Sequence, residues 1–462
     1  MAYTPIDKGE NFFNTKLYTG NGGTNNITGV GFPTNLVWLK ERSESGAPIL
    51  FDLIRGVGKF LRTSSSAAQV TQADTLTAFT TDGFTLGADS ADYSANQNSK
   101  TYASWSWKAG GSNPAKTYVV KVVSDGGNKY RLDDFAANAV TLELSEGGTF
   151  TFDQSDSSNN GHPLRFSTTS NGTHAGGSIY TTGVVVSGTP GQAGAKTTIT
   201  VAASAPTLYY FCTVHSGMGG QANTPTTNSF TNLDGSKQSN VSPNTISRFS
   251  IVSYTGNETN STIGHGLGVV PKMIMIKNLS NGGAQWVVYH VITGNTQACY
   301  LNTTTTPVDV AAFFQDTTPT PLVFTIGTDT AVNGNNNNMI AYCFGDVQGY
   351  SKFGSYTGNG NADGPFTYTG FKPAFVLLKR TDVAKNWYIN DNKRLGYNPS
   401  NPYLSPNLTA TETGGTEIDM LSNGFKITAS GTGHNQSNGT YIYMAFAEHP
   451  FTSSAGTPVT AR

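Results

Sequence analysis

The chain has 462 residues, of which only 12% are charged, and its formal net charge is -1. The scattered Lys and Arg residues form no basic stripe, which argues against nucleic acid or an anionic membrane surface as a partner. Gly, Thr, Ser and Asn take the place of the missing charges, and they favour an all-β protein rich in turns. At about 150 residues per domain, the length predicts three or four domains rather than one compact core.

The N-terminus and the cysteines narrow the class further. The opening residues, MAYTPIDKGENFFNTK, lack the apolar core of a secretory signal, and no apolar run approaches the roughly 18 residues of a membrane span. We therefore expect synthesis without a secretory signal and no membrane insertion. The three cysteines, Cys212, Cys299 and Cys343, are too few and odd in number for a disulfide framework, so the fold is expected to rest on packing.

Residues 1–110 form the first of three similar segments. This segment runs from YTGNGGTNNITGVGFPTNLVWLKER at Tyr18 through DGFTLG to the aromatic stretch YASWSWKA. Short apolar blocks between Gly, Pro and Asn predict the strands of a β-sandwich. FDLIRGVGKFL is the only stretch whose sequence is compatible with a helix, although its glycines disfavour one.

Residues 111–224 do not follow this pattern, and we predict that they form a separate β-sandwich. Blocks such as AVTLELSEGGTFTFD, KTTITVAA and TLYYFCTVHSGM alternate polar and apolar residues. GHPLRF supplies His162, and YYFCTVHSGM supplies Cys212, His215 and Met218. Imidazole, thiolate and thioether groups are the ligands that copper prefers.

The order of these residues resembles the cupredoxin family, in which one His precedes a Cys-His-Met loop between the last two strands. The resemblance covers the whole inserted module and implies a copper site formed by His162, Cys212, His215 and Met218. The alternative that these residues bind no metal stays open, because a Cys-x2-His spacing also occurs by chance and the module can keep its fold without a metal. His174 stands in a glycine-rich loop and is left out of the predicted ligand set.

The second and third repeats follow, and we assign them residues 225–351 and 352–462. They open with YTGNETNSTIGHGLGVVPKMIMIKN at Tyr254 and YTGNGNADGPFTYTGFKPAFVLLKR at Tyr356, and they close with MIAYCFGD and YIYMAFAE. The repeated aromatics are most simply packing residues. Exposed aromatics that stack on sugars are expected where the copies differ, and the candidates are Trp286, Trp387 and residues 331–338 and 391–403.

The YTGNG openings, DGF strands and aromatic closing strands resemble β-rich modules of tail and virion proteins of marine bacteriophages, especially phages of cyanobacteria. This resemblance covers nearly the entire chain. It implies a virion structural protein, with a tail fibre or tail-associated protein that touches the host surface as the leading hypothesis. The implied partners are other virion proteins and a host receptor that could be a glycan, and a homotrimer is favoured.

Two other functions stay open. A capsid decoration or head-fibre protein would use the same modules without touching a receptor, and a copper redox protein would use the inserted module. No catalytic motif is present: the sequence lacks a G-x-S-x-G elbow, a P-loop and an H-E-x-x-H helix, and its few carboxylates lie mostly in turns. We therefore expect a protein that is not an enzyme.

Overall fold

A computed structural model describes residues 4–110, 114–395, 398, 402–415 and 417–450, apart from the side chain of Pro450. These residues form an all-β fold with 35 strands. The helices among them are single turns, at Gly9–Asn11, Ser157–Asn159, Gly172–Ala175, Ala311–Phe314 and Thr330–Asn333. No helix within the described ranges is long and apolar enough to span a membrane.

The strands of the first repeat and of the inserted module alternate with short turns. The first repeat contains β1 (Phe13–Thr19), β2 (Asn25–Ile27), β3 (Leu36–Glu41), β4 (Ile49–Asp52), β5 (Lys59–Arg62), β6 (Val70–Thr71), β7 (Leu76–Thr80), β8 (Gly83–Leu86) and β9 (Thr101–Trp107). The module contains β10 (Ala115–Ser124), β11 (Asn128–Leu132), β12 (Leu142–Glu143), β13 (Thr149–Asp153), β14 (Leu164–Ser167), β15 (Val184–Ser187), β16 (Lys196–Thr200), β17 (Leu208–Cys212) and β18 (Gln221–Asn223).

The remaining strands belong to the segments predicted as the second and third repeats. The second contains β19 (Phe230–Asn232), β20 (Ser239–Asn244), β21 (Phe249–Thr255), β22 (Ser261–Gly264), β23 (Met273–Asn278), β24 (Val287–His290), β25 (Gln297–Tyr300), β26 (Val308–Asp309), β27 (Val323–Ile326) and β28 (Asn338–Phe344). The third contains β29 (Ser351–Thr357), β30 (Phe366–Tyr368), β31 (Phe371–Arg380), β32 (Trp387–Asp391), β33 (Ile418–Leu421), β34 (Gly424–Ile427) and β35 (Thr440–Pro450).

The chain divides into two compact units. Unit 1 comprises residues 1–109, 244–260 and 267–462, and unit 2 comprises residues 110–243 and 261–266. Unit 2 therefore runs beyond the predicted module of 111–224 and includes β19 and most of β20. The physical reason lies in β19, because the Tyr118 hydroxyl donates to the Thr231 carbonyl over 2.8 Å and Leu144 forms a β-bridge with Phe230.

In unit 1, the three repeats share one sheet arrangement. The opening strand of each repeat pairs with the closing strand. The closing strand also pairs with the strand that carries Lys40, Lys277 or Lys379, and this strand pairs with the one that follows it in sequence. Every pairing is antiparallel. The orders are β1-β9-β3-β4, β21-β28-β23-β24 and β29-β35-β31-β32. The repeat read from the sequence thus corresponds to a structural repeat.

The large sheet of the first repeat is covered on both faces. Val37 and Phe51 pack in a core with Phe84 of the small sheet β2-β8-β7. Trp38 and Trp105 belong to a second core that continues through all three repeats. Because both faces of this sheet are buried, the apolar residues of NLVWLKE follow one another instead of alternating with polar residues. The length predicted three or four domains rather than one compact core, but within unit 1 the three repeats share a core.

The FDLIRGVGKFL stretch and the prolines near the strands each adopt a regular place in the fold. FDLIRGVGKFL, the stretch compatible with a helix, instead forms parts of β4 and β5 joined by a turn in which Gly56 and Gly58 have positive φ angles. Pro33 and Pro271 lie just before β3 and β23. Pro373 lies inside β31 at a shift in the register with β35, where a missing N–H is tolerated.

The repeated YTGN sequence binds a buried asparagine in each repeat. In the second repeat, the Tyr254 hydroxyl donates to the Val332 carbonyl over 2.7 Å, and the Asn257 N–H donates to the Asn333 side chain over 2.9 Å. A Cβ on Gly256 would lie 2.2 Å from the Gly334 carbonyl oxygen, so this position requires glycine. Asn96 and Asn435 take the place of Asn333 in the other two repeats.

The contacts between the repeats follow a closed cycle. Trp107, Phe344 and Phe446 occupy the same position in their three closing strands, and their rings meet pairwise with centroids 5.7–6.3 Å apart. The Trp286 indole N–H donates to the Arg62 carbonyl of the first repeat, and the Trp387 N–H donates to the Tyr300 carbonyl of the second. The second and third repeats thus each bind the repeat that precedes them in the chain.

A buried lysine closes each junction. Lys277 donates to the Ala284 carbonyl of its own repeat and, over 2.7 Å, to the Ser66 carbonyl of the first repeat. Lys379 and Lys40 occupy the same strand position and bind the Thr304 and Leu408 carbonyls of the second and third repeats. The Ser/Thr-rich turns at 62–67, 302–307 and 405–410 therefore accept the lysine of the neighbouring repeat.

We expect these lysines to make stability depend on pH in an unusual direction. Burial lowers the pKa of Lys277 to about 8, below its ordinary value, so the unfolded chain holds more protons between pH 8 and 10 and the folded state gains stability as the pH rises. The stability advantage of the wild type over Lys277→Met should grow across this range by at most about 1.4 kcal/mol per pH unit. Denaturant unfolding at a series of pH values measures it; a constant difference would contradict the assignment.

The buried asparagines are expected to carry a large share of local stability. Asn333 is fully buried, and its amide donates to the Thr259 and Gly327 carbonyls over 2.8 and 2.6 Å. Asn333→Ala leaves buried polar groups without a partner and should lower the free energy of unfolding by about 3 kcal/mol. Asn335→Ala, at an exposed position of the same loop, is the matched control and should change it by less than about 0.5 kcal/mol. Equal losses would disprove the role of Asn333.

Candidate metal centre

The candidate centre lies at one end of the two-sheet sandwich of unit 2. One sheet has the order β11-β10-β13-β16-β15, and the other has the order β12-β18-β17-β14. The alternation in TFTFD buries Phe150 and Phe152 on one face of β13, which explains why this block forms a strand with one face in the core. β14 and β17 pair antiparallel with Leu164 opposite Cys212. Residues that come just before Leu164 and just after Cys212 are therefore brought to the same end.

Three of the four predicted ligands come together at this end. The Nδ1 atoms of His162 and His215 each lie 3.9 Å from the Cys212 sulfur, and the three donor atoms lie within 4.8 Å of one another. Cys212 is buried, His162 is half-buried and His215 is exposed. Among the described residues, this is the only group of three or more His, Cys, Asp or Glu side chains with metal-binding spacing.

The two sulfur–nitrogen distances fit a metal ion bound between Cys212 and each histidine. With metal–sulfur and metal–nitrogen bonds of about 2.3 and 2.0 Å, an angle of about 120° separates sulfur from nitrogen by about 3.7 Å. The observed separations are 3.9 Å for both histidines. One thiolate and two imidazoles in a trigonal arrangement form the donor set of electron-transfer copper sites. The residues present therefore fit copper.

Met218, the fourth predicted ligand, is fully buried. Its carbonyl oxygen accepts a hydrogen bond from the Tyr130 N–H over 2.9 Å, which fixes the end of the Cys-His-Met loop. The role of its thioether as a ligand stays a prediction.

The His215 backbone and the Tyr130 side chain lie beside the Cys212 sulfur. The His215 N–H donates to the sulfur over 3.4 Å. The Tyr130 side chain lies beside it; burial first, and then Cys212, raise the pKa of Tyr130 well above its ordinary value. Tyr130 thus stays a neutral hydroxyl. On β14 and β17, the side chains of Leu164, Phe166, Tyr210 and Phe211 are buried, and Tyr209 is half-buried.

His162 is held by backbone contacts on both sides of Pro163. The Gln154 amide donates to the His162 carbonyl over 2.8 Å, and its oxygen accepts from the Leu164 N–H over 3.1 Å. The Tyr130 hydroxyl donates to the same His162 carbonyl over 2.9 Å. Gln154 thereby bridges the proline, which has no N–H of its own to contribute.

The ring of His162 is suited to binding a metal as a neutral imidazole. Partial burial first, and then the neighbouring His215, lower the pKa of His162. The Asn128 side-chain amide lies 3.5 Å from its Nε2, on the side of the ring away from the sulfur. A metal-binding histidine commonly has such an outer partner, which orients the ring.

Sequence reasoning missed three residues of the centre: Tyr130, Gln154 and His174. The Nε2 of His174, which was left out as a loop residue, lies 2.9 Å from the Cys212 carbonyl oxygen, and its ring meets Phe211 edge-on. It therefore supports the ligand loop through the backbone. Its position in NGTHAGG carries no signal of this contact, because the glycine-rich loop reaches β17 only in the folded chain.

The prediction that Trp286 and Trp387 are exposed and stack on sugars is wrong. Trp286 and Trp387 are 0% and 1% exposed, because their rings close the junctions between repeats. In the candidate loop at 331–338, Val332 and Asn333 are also buried, and Asn333 is the asparagine that binds the YTGN segment. Part of the other candidate loop, at 396, 397 and 399–401, lies outside the described residues.

Fold and centre together define an all-β protein with a three-repeat unit and a second sandwich that carries a His-Cys-His cluster. The model of a domain of unknown function, DUF7483, matches residues 8–147 and 221–450, which is more than half of the chain. The chain therefore belongs to this family. No curated protein and no solved structure matches it significantly. The matched ranges omit residues 148–220, which contain His162, Cys212, His215 and Met218.

Proposed function

We propose that this protein is a structural component of a bacteriophage virion, a tail fibre or tail-associated protein that contacts the host cell surface. The role is non-enzymatic, and its partners are other virion proteins and a host receptor. The resemblance of the repeats to phage virion modules supports this proposal. The observation that carries it is the shared core of unit 1, because rigid strands that hold polar loops in place suit a protein whose loops recognise a surface.

The contacts between repeats explain how such a scaffold could resist strain without disulfides. All three cysteines are buried and free. The junctions rest instead on aromatic rings and on lysine ammonium groups bound to backbone carbonyls, as described for Lys277. The cyclic arrangement supplies three similar repeats within one chain, and the predicted homotrimer of such chains stays a prediction.

The position in the virion can be tested by labelling. Antibody fragments raised against the purified chain should decorate the tail of intact particles in electron micrographs, and the purified chain should bind host cells and slow adsorption of the phage. Fragments raised against the major capsid protein provide the control for head labelling. Decoration of the head would support the alternative of a capsid decoration or head-fibre protein, and would exclude the tail position.

A second candidate function is copper binding in unit 2, and the His162, Cys212 and His215 cluster favours it. Bound copper would supply one-electron redox chemistry. The two imidazoles and the thiolate would hold the ion, Tyr130 and Gln154 would fix the position of His162, and Phe211 and its buried neighbours would exclude water. The exposed edge of His215 would leave the ion accessible to a redox partner.

Copper binding predicts a spectrum that depends on one cysteine. Copper(II) added to the purified chain should produce an intense visible absorption band, since a thiolate in a trigonal site donates charge to the ion. Cys212→Ser should abolish the band. The double variant Cys299→Ser and Cys343→Ser is the matched control, because both cysteines are buried in unit 1, and it should keep the band. A colourless wild-type protein would exclude this type of site.

A further inference from the structure

Unit 1 contains a polar cleft at the junction between the first and third repeats. Its volume is about 490 Å³, within the range of small-molecule sites. It lies beside the Lys40 junction, where Thr409 of the third repeat completes its wall. The side chains that give the cleft its chemistry are Glu41, Glu44, Asp92, Tyr93, Asn98 and Lys100.

Glu41 is the distinctive group of this cleft. The residue is 4% exposed, and its Oε1 is buried without a hydrogen-bond partner among the described residues. Asn278 and Arg380 occupy the same strand position in the other repeats, and both are bonded, to the Thr330 carbonyl and to Asp382. A buried acceptor without a donor is costly, and Glu41 is one of the residues that line the cleft.

The charges of the cleft nearly cancel. Glu41, Glu44 and Asp92 face Lys100 and Arg62, which leaves a formal charge of -1. Lys100 already binds Glu44, and the Arg62 guanidinium lies over the ring of Tyr93, 5.2 Å from its centroid. Burial first, and then Glu44, raise the pKa of Glu41. The three carboxylates are also not among the side-chain groups with metal-binding spacing in the described chain.

We propose that this cleft binds a neutral sugar. Each hydroxyl of a sugar both donates and accepts hydrogen bonds, so it can satisfy Glu41 while it accepts from Asn98 or Lys100. An amine could only donate and would leave the Asn98 amide without an acceptor in the ligand, and an anion would meet the carboxylates. Tyr93 adds an aromatic ring to the wall. This inference rests on the proposed contact with the host surface and narrows the receptor to a glycan.

Binding can be measured with defined sugars and a variant that fills the cleft. Glucose, galactose, mannose and N-acetylglucosamine are titrated singly against the full chain by saturation-transfer NMR and calorimetry, and at least one should bind. Ser45→Trp, at an exposed position of the wall, should weaken binding at least 10-fold. Gln297→Trp is the matched control, because Gln297 is an exposed wall residue of a similar cleft between the second and third repeats, and its affinity should equal the wild type.

Glu41→Gln preserves the shape of the cleft and tests the carboxylate itself, and it should weaken sugar binding about 10-fold. Melting curves check that each variant is folded. The proposal is overturned if none of the four sugars binds, if spermidine binds in their place, or if Ser45→Trp binds sugar as well as the wild type.

Cell binding separates this proposal from the proposed function. If Ser45→Trp still attaches to host cells as the wild type does, the cleft is not the receptor site, although the chain remains a host-binding protein. If the wild type binds a sugar but no host cells, the cleft stands and the host-contact function fails.

Discussion

The meeting of Trp107, Phe344 and Phe446 at the centre of unit 1 is the contact on which the arrangement of the three repeats depends. Each ring comes from the closing strand of one repeat, so each repeat buries part of the other two. A repeat taken alone would expose the face of its large sheet that carries these aromatics, as at Trp38 and Trp105 in the first. The hydrophobic effect therefore acts on the three repeats jointly, and not on each by itself.

The polar contacts between repeats follow the same cycle and give it a direction. Lys277 reaches from the second repeat to the first, and Trp286 does the same. A buried ammonium group is tolerated there because backbone carbonyls of two different repeats accept its hydrogens. These bonds require a defined position of the neighbouring turn, so they specify how the repeats sit against one another, whereas apolar packing alone is less selective. The polar cleft at the Lys40 junction arises from the same geometry.

The candidate metal centre is independent of this ring. His162, Cys212 and His215, together with Tyr130 and Gln154, all belong to unit 2. The matched family ranges also omit the ligands. The proposed metal site in unit 2 and the proposed recognition of a surface by unit 1 are therefore compatible, and the loss of one would not require the loss of the other.

The sequence by itself determined the all-β class and the three repeats, because turn residues and apolar periodicity are local signals. Residue spacing also pointed to His162, Cys212, His215 and Met218 as ligands, and the structure brings the donor atoms of the first three together. Only the tertiary structure decided that the repeats share one core, that Trp286 and Trp387 are buried, and that Tyr130, Gln154 and His174 support the ligand loops. These facts depend on which distant segments meet. An apolar block such as NLVWLKE predicts burial, but it does not state which partner covers each face.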